Sequence, residues 1–187
     1  MTRIGIILGT TKPARVGPQI ADWVARVARD REDAEFTVVD LADHDLPVFN
    51  EPASPLLGKY EHAHTRRWAS VVSELDGFVF VTPEYNRSVP AALKNAIDYL
   101  YAEWRNKAAG IVSYGSQVSG ARAAEHLRLI MSGLDVATVK SQLSLSLATD
   151  FEAFSTFTPS ARHQAVLTQV IGEVVSWSEA LEPLRRH

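Results

Sequence analysis

The sequence of 187 residues contains no cysteine. That absence excludes disulfides, thiolate nucleophiles and iron–sulfur ligation, so any redox chemistry requires a bound cofactor. Long apolar runs are also missing, since none approaches the ~20 residues that cross a bilayer. Thr2 and Arg3 lead directly into a short apolar strand without a small-residue cleavage site, so we expect no signal peptide and a location in the cytoplasm.

Neither sign of charge dominates the chain, whose formal net charge is −3. A protein that reads duplex nucleic acid needs a concentrated basic face, but acidic residues interleave with Arg26, Arg29 and Arg31. We therefore expect no nucleic-acid and no membrane partner. With 46% hydrophobic and 22% charged residues, the composition is typical of a globular protein, and the length fits a single domain over residues 1–187.

Apolar runs alternate with amphipathic segments along the chain. The runs lie at residues 4–8, 36–39, 78–81, 108–112 and 136–139, and alternating leucines extend the last one towards residue 147. Helical patterns follow at residues 20–28, near 60–75, near 90–103, near 120–133 and at 166–181. This alternation indicates an α/β fold with a parallel sheet that is covered by helices on both faces.

The loop at residues 9–18, GTTKPARVGP, follows the first strand and leads into the first helix. Backbone N–H groups at a helix start, hydroxyls and cations meet here, and a terminal phosphate requires this combination. The loop matches neither the P-loop nor the G-x-G-x-x-G fingerprint, so a mononucleotide is favoured over ATP or a dinucleotide. The alternative is an ordinary turn whose cations are merely solvated.

A second polar turn follows the third strand. Pro83 ends that strand, Glu84, Tyr85 and Asn86 form an exposed turn, and Ser88 is predicted to cap the next helix. An aromatic face beside a carboxamide and backbone N–H groups suits a flat heterocycle with polar edges.

A third loop of small residues follows the fourth strand. It begins with Ser113, Tyr114 and Gly115 and continues to Arg122. Gly115 would let the backbone approach a planar ligand closely, because glycine has no Cβ.

These segments resemble the NADPH-dependent FMN reductase family, which includes quinone and azo reductases. The likeness covers roughly residues 3–135, and the run PEYNRSVPAALKNAID at 83–98 is its most specific part. It implies a flavodoxin-like three-layer sandwich with a five-stranded sheet ordered 2-1-3-4-5, in which the ends of strands one, three and four are neighbours. Ser119 replaces the first of two glycines in the family pattern, which leaves the finer conformation of the third loop open.

The resemblance also implies FMN as cofactor and NADPH or NADH as electron donor. Lys12 stands where many relatives carry arginine, so Arg15 is the better candidate for a bidentate phosphate contact. Gln19, at the helix start, contributes through its side chain or only through its N–H. The expected cofactor-binding residues are Thr10, Lys12, Arg15, Gly17, Pro18, Gln19, Pro83, Glu84, Tyr85, Asn86, Ser88, Ser113, Tyr114 and Gly115.

In the mechanism that the resemblance implies, no side chain is catalytic, because N5 of the flavin carries the chemistry. NAD(P)H passes hydride to the flavin and leaves, and a quinone, flavin or similar acceptor then takes its place in a ping-pong cycle. The alternative is a flavodoxin-like electron carrier or an FMN-binding regulatory protein without NAD(P)H turnover. A scaffold that keeps the fold without the cofactor is a third interpretation.

Aromatic residues and an arginine cluster after the third helix, at Tyr99, Tyr101, Trp104 and Arg105. Such residues are enriched at interface cores, and the relatives assemble as dimers or tetramers. We therefore expect a homodimer or homotetramer in which this segment or the long loop at 40–59 covers a neighbouring site. The competing interpretation is that the aromatic side chains pack inside one subunit.

Two other kinds of site are not supported by the sequence. The six histidines lack metal-ligand spacing, with His62 and His64 expected to diverge on a helix, so no metal site is expected. No Gly-x-Ser-x-Gly elbow follows a strand, which argues against a hydrolase.

Overall fold

The computed structural model describes residues 1–185 and contains a parallel sheet of five strands in the order β2-β1-β3-β4-β5. The strands are β1 (Thr2–Leu8), β2 (Ala34–Asp40), β3 (Gly77–Pro83), β4 (Lys107–Gly115) and β5 (Val136–Ser146). Every residue of β3 and β4 is buried, as expected for central strands covered on both faces. The predicted fold class and strand order are confirmed.

Helices cover the sheet on both faces and make the three layers. On one face lie α1 (Gly17–Ala28) and α5 (Ala161–Ala180), and on the other lie α2 (Ala63–Ser73), α3 (Ala91–Asp98) and α4 (Ala121–Ser132). A short helix, α6 (Glu182–Arg185), ends the described chain. No helix within residues 1–185 combines the length and the apolar character that a bilayer crossing needs.

The aromatic segment after α3 packs largely inside the subunit. Tyr99 and Trp104 are both 0% exposed, and the indole of Trp104 lies 5.0 Å from the ring of Phe78. Trp104 Nε1 donates to the carbonyl of Ile97 at 3.1 Å, so its polar atom is also satisfied internally. The expectation that Tyr99 and Trp104 lie at a subunit contact is wrong, whereas Tyr101 is only half-buried.

The long irregular segment at 40–59 is fastened to its neighbours rather than free. The amide of Asn95 donates to the carbonyl of Pro47 at 2.7 Å and accepts from the N–H of Phe49 at 2.8 Å. The buried carboxylate of Glu51 accepts the N–H of Glu61 at 2.8 Å, just before α2 begins. These hydrogen bonds hold the segment in a defined conformation on the protein surface.

A small hairpin between β5 and α5 was not predicted from the sequence. It pairs β6 (Phe151–Glu152) with β7 (Thr156–Phe157) in antiparallel fashion. Phe157 packs edge-on against Trp23 of α1, with ring centroids 5.2 Å apart. The hairpin therefore lies against the first turns of α1, beside the loop that is predicted to bind phosphate.

Candidate cofactor site

The loops after β1, β3 and β4 meet at the carboxyl edge of the sheet. The hydroxyls of Thr10 and Tyr85 lie 3.1 Å apart although 75 positions separate them. The N–H of Glu84 donates to the carbonyl of Tyr114 at 2.9 Å. The three segments that sequence reasoning selected are thus joined by direct hydrogen bonds.

The first loop presents an uncapped helix start. Helix α1 begins at Gly17, and the preceding Val16 offers no side-chain cap to the first N–H groups. Pro18 occupies the first turn, where its missing N–H costs nothing. A Cβ at Gly17 would lie 2.6 Å from Leu8 Cδ1 and 3.0 Å from the Tyr114 hydroxyl, so a larger residue would displace these two side chains.

The two cations of the loop have different surroundings. Arg15 is largely buried and forms an ion pair with Asp40 at the end of β2, while its Nε is buried without a partner. Lys12 is exposed. A buried guanidinium N–H without an acceptor is rare and calls for one, and an anion in the loop would supply it. Sequence reasoning missed Asp40, although its place at the end of the strand next to β1 was a usable signal.

The side chain of Gln19 is bonded to the β6–β7 hairpin. Its Nε2 donates to the carbonyl of Ser155 at 2.8 Å, and its Oε1 accepts the N–H of Phe157 at 2.9 Å. Its own N–H donates to the carbonyl of Val16 at 3.1 Å. Neither of the two expected ways for Gln19 to bind a ligand is free in this arrangement.

The second turn is a tight hairpin turn that starts just beyond β3. Tyr85 and Ser88 exchange backbone hydrogen bonds of 2.9 and 3.0 Å, and the two residues between them, Asn86 and Arg87, have φ of 50° and 73°. Positive φ at both central residues is the pattern of a type I′ turn. The turn leaves Tyr85 39% exposed at the edge of the site.

Ser88 does not cap α3, so that prediction is wrong. Its backbone is paired with Tyr85, and α3 begins at Ala91 with Pro90 in the capping position. The Ser88 hydroxyl instead lies 3.1 Å from Nδ1 of His126 on α4.

Glu84 connects the second turn to the third loop. One carboxylate oxygen accepts the N–H of Arg122 at 3.2 Å, in the first turn of α4, and the other accepts its guanidinium at 3.2 Å. Gly120, which precedes α4, has no side chain to cap the helix, so Glu84 takes that role. The carboxylate is therefore occupied, and only the backbone and stem of Glu84 remain to face a ligand.

Hydrogen bonds of the buried Ser113 hold the third loop in its conformation. Ser113 is 0% exposed, and its hydroxyl contacts the carbonyl of Ser119 and the hydroxyl of Ser144, both at 3.1 Å. Burial raises the pKa of the Tyr114 phenol, which is 4% exposed and stays neutral. A Cβ at Gly115 would lie 2.9 Å from the N of Gly120, so glycine is needed there.

Ser119 and Gly120 answer the question that the family pattern left open. Their φ angles are 54° and 78°, both in the left-handed region that favours glycine. Ser119 thus takes the conformation that a glycine would adopt, at a cost in strain.

A cleft of about 520 Å³ opens between the second turn and the third loop. It is lined by Glu84, Asn86, Arg87, Ser116, Gln117 and Arg122. Within residues 1–185, no group of three or more His, Asp or Glu side chains is placed to hold a metal ion.

Comparison with known proteins agrees with this geometry. The family model of the NADPH-dependent FMN reductases matches residues 2–150. The chain belongs to this family. The expected NAD(P)H-dependent oxidoreductase with FMN as cofactor is thereby confirmed at the level of the family.

Curated members of the FMN reductase family share the greater part of the chain. An NAD(P)H-dependent FMN reductase of Schizosaccharomyces pombe is 35% identical over 176 residues, which cover 91% of this chain and 88% of that protein. One from Nectria sp is 36% identical over 159 residues, covering 80% of this chain and 79% of the relative.

Solved structures support the same fold. FerB, a flavoenzyme NAD(P)H:(acceptor) oxidoreductase from Paracoccus denitrificans, superposes with a TM-score of 0.71 at 20% identity, covering 96% of this chain and 98% of that one. Flavodoxin 1 of Bacillus cereus gives a TM-score of 0.58 at 17% identity, covering 94% and 98%. Structural similarity at this low sequence identity establishes the flavodoxin-like fold, whereas the chemistry has to be inferred from the residues of the site.

The residues of the site fit FMN. The buried Nε of Arg15 lacks an acceptor, and no side chain of Val16 caps the start of α1 at Gly17, which suits a phosphate. A Cβ at Gly115 would meet the backbone N of Gly120 at 2.9 Å, so the third loop packs tightly on itself and its backbone is held in place.

Proposed function

We propose that this chain is an FMN-dependent oxidoreductase that carries reducing equivalents from NAD(P)H to a quinone, a flavin or a similar acceptor in a ping-pong cycle. The observation that carries the proposal is the junction of the first loop with the second turn through the Thr10 and Tyr85 hydroxyls. That junction puts an anion-binding helix start beside an exposed aromatic ring, which a mononucleotide with a flat heterocycle would bridge.

The phosphate end is assigned to the first loop. Arg15, the Thr10 hydroxyl and the backbone N–H of Gly17 would hold the phosphate, with Pro18 fixing the backbone of the helix start and Lys12 adding a solvated charge. The orphaned Nε of Arg15 supports this assignment, because a phosphate oxygen would complete its hydrogen bonding. Gln19 is assigned to the hairpin instead.

The ring end is assigned to the second turn and the third loop. Pro83, Glu84, Tyr85, Asn86 and Gly115 would line it. The Tyr85 ring offers an aromatic contact, and the exposed backbone of the third loop offers N–H groups to a polar ring edge. Ser88, Ser113 and Tyr114 would support the ring end from behind, since their hydroxyls lie inside the protein or beside α4.

Bound FMN supplies hydride acceptance and release at its ring. The chain's own task is to bind the cofactor, to leave one ring face open and to offer N–H dipoles where negative charge develops. The open cleft of about 520 Å³ beside the ring end supports alternate occupation by donor and acceptor, which is why a ping-pong scheme is proposed.

The scheme is tested by initial velocities with NADPH or NADH against a quinone. Parallel double-reciprocal lines are expected, and intersecting lines from a compulsory ternary complex would contradict the scheme. Rapid anaerobic bleaching by NADPH separates a reductase from an electron carrier without NAD(P)H turnover, because only the reductase bleaches quickly.

A homodimer or homotetramer is part of the proposal. Leu56, Leu57 and Leu129 are 63%, 62% and 71% exposed. Leu56, from the long segment at 40–59, and Leu129, from α4, line one cavity beside α3 and α4. Apolar surface of this kind is typical of an interface. Sedimentation at micromolar concentration tests it, and a monomer would count against it. The cytoplasmic location stays a prediction for cell fractionation.

A further inference from the structure

The cleft beside Tyr85 carries an uncompensated positive charge. Two guanidiniums, those of Arg87 and Arg122, line it together with one carboxylate, that of Glu84. Arg122 is paired with Glu84 at 3.2 Å. In the described part of the chain, no hydrogen bond or ion pair engages the side chain of Arg87.

Arg87 also occupies a backbone position that does not suit it. It is the second central residue of the turn, with φ of 73°, where glycine is strongly preferred after asparagine. An arginine there strains the backbone, and within residues 1–185 its exposed side chain gains no hydrogen bond or ion pair in return. Strained residues are enriched at functional sites, so the strain at Arg87 supports a role in the cleft only together with the residues that line it.

The neutral groups around Arg87 suit an oxyanion. Asn86, Ser116 and Gln117 line the same cleft and offer amide and hydroxyl donors beside the guanidinium. Arginine binds phosphate, sulfonate and carboxylate groups through two parallel N–H donors.

We propose that Arg87 binds an anionic group of a substrate that enters this cleft, and so selects for charged donors or acceptors. The inference rests on the proposed function, because it requires FMN beside the cleft and turnover there. The anionic group belongs either to the phosphates of the nicotinamide donor or to a charged acceptor.

The test compares Arg87→Gly with Arg87→Lys and with Arg29→Gly, which removes an exposed arginine at the far end of α1. Arg87→Gly gives the turn its preferred residue, so the variant should fold at least as well as the wild type. Its binding of FMN should be unchanged.

The donor arm measures KM for NADPH and NADH and the affinity of the FMN-loaded protein for NADP⁺ by difference absorbance. The acceptor arm compares 1,2-naphthoquinone-4-sulfonate with neutral 1,2-naphthoquinone. In Arg87→Gly, we expect KM or Kd to rise roughly tenfold for the anionic ligand of at least one arm, as for loss of a charge-assisted hydrogen bond. In Arg87→Lys, KM or Kd for the anionic ligand should rise less than in Arg87→Gly, because the lysine keeps the charge. The constants for the neutral quinone, and all constants of Arg29→Gly, should equal those of the wild type.

The arm that responds identifies the source of the anion. Unchanged constants in both arms would overturn the proposal, and so would a loss of FMN affinity in Arg87→Gly, because Arg87 would then be a cofactor ligand. Wild-type protein that fails to bind FMN or to oxidise NAD(P)H would instead refute the proposed function.

Discussion

The guanidinium of Arg15 needs acceptors for its N–H groups, and residues 1–185 provide only one, the carboxylate of Asp40. Asp40 neutralises its charge, while its buried Nε has no acceptor. The pair fixes the side chain beside the helix start, and a phosphate would then gain a pre-oriented donor. Lys12 is exposed, so it offers charge without orientation.

Arg15→Met should therefore weaken FMN binding by roughly 10- to 100-fold, since hydrogen bonds to charged groups contribute about 1.5–3 kcal/mol. Lys12→Met should weaken it only a few-fold, as for an exposed charge. Isothermal titration with FMN measures both. Riboflavin, which lacks the phosphate, is the control ligand, and an equal effect of Arg15→Met on riboflavin would contradict the assignment.

Gly120 tests the packing of the third loop. A Cβ there would lie 2.6 Å from the N of Tyr114 and 2.8 Å from its carbonyl oxygen, at φ of 78°. Gly120→Ala should lower the free energy of unfolding by roughly 2–4 kcal/mol. Gly172→Ala in α5 is the matched control, because a Cβ there would meet nothing within 4 Å and alanine favours helix by about 0.5–1 kcal/mol. Urea unfolding gives both values, and a neutral Gly120→Ala would refute the described loop.

At the scale of elements, Gln19 joins α1 to the β6–β7 hairpin. Its side-chain amide bonds Ser155 and Phe157 much as a neighbouring strand would. Gln19→Ala should lower the free energy of unfolding by roughly 1–2 kcal/mol, because two hydrogen bonds are lost. It should also speed amide hydrogen exchange at Phe157, while Gln169→Ala on the exposed face of α5 should leave that exchange unchanged. Undisturbed exchange in Gln19→Ala would show that the hairpin stands without the Gln19 amide.

The long elements were predictable because each repeats a simple pattern. Continuous apolar runs marked β1, β3 and β4, and the apolar face of Ile20 and Val24 marked α1. The β6–β7 hairpin was missed because strands of two residues are too short to show a period of two. Ser88 was misassigned because serine serves equally in turns and caps, and only the pairing with Tyr85 decides between them.

The site was predictable to the level of loops but not of side-chain partners. Parallel topology brings the ends of β1, β3 and β4 together, so motifs in those loops had to meet. Which carboxylate would pair with Arg15, and that Glu84 would cap α4, depended on contacts between distant segments. Such contacts leave no local signal in a single sequence.

At the scale of the whole molecule, Lys107 couples stability to pH. It is 5% exposed, and burial, with Arg185 nearby, lowers its pKa to about 8. In the unfolded chain its pKa is about 10.4. Between these values the unfolded state binds more protons, so stability should increase as the pH rises, by at most about 1.4 kcal/mol per pH unit.

The measurement is urea unfolding from about pH 7.5 to 9, where unfolded tyrosines are still about nine-tenths protonated. The wild type should gain stability relative to Lys107→Met across that interval. Lys140→Met, which removes an exposed lysine, should follow the wild type. Parallel pH profiles for the wild type and Lys107→Met would show that Lys107 is not desolvated in the folded protein.

A single cooperative unfolding transition in the same experiment would agree with the predicted single domain over residues 1–187.

The most direct test of the central claim is the visible spectrum of FMN-saturated protein under anaerobic conditions, before and after one equivalent of NADPH. We expect a bound-flavin band that bleaches rapidly and returns when a quinone is added. Protein that leaves FMN free in solution, or whose bound flavin keeps its colour with both NADPH and NADH, would contradict the account.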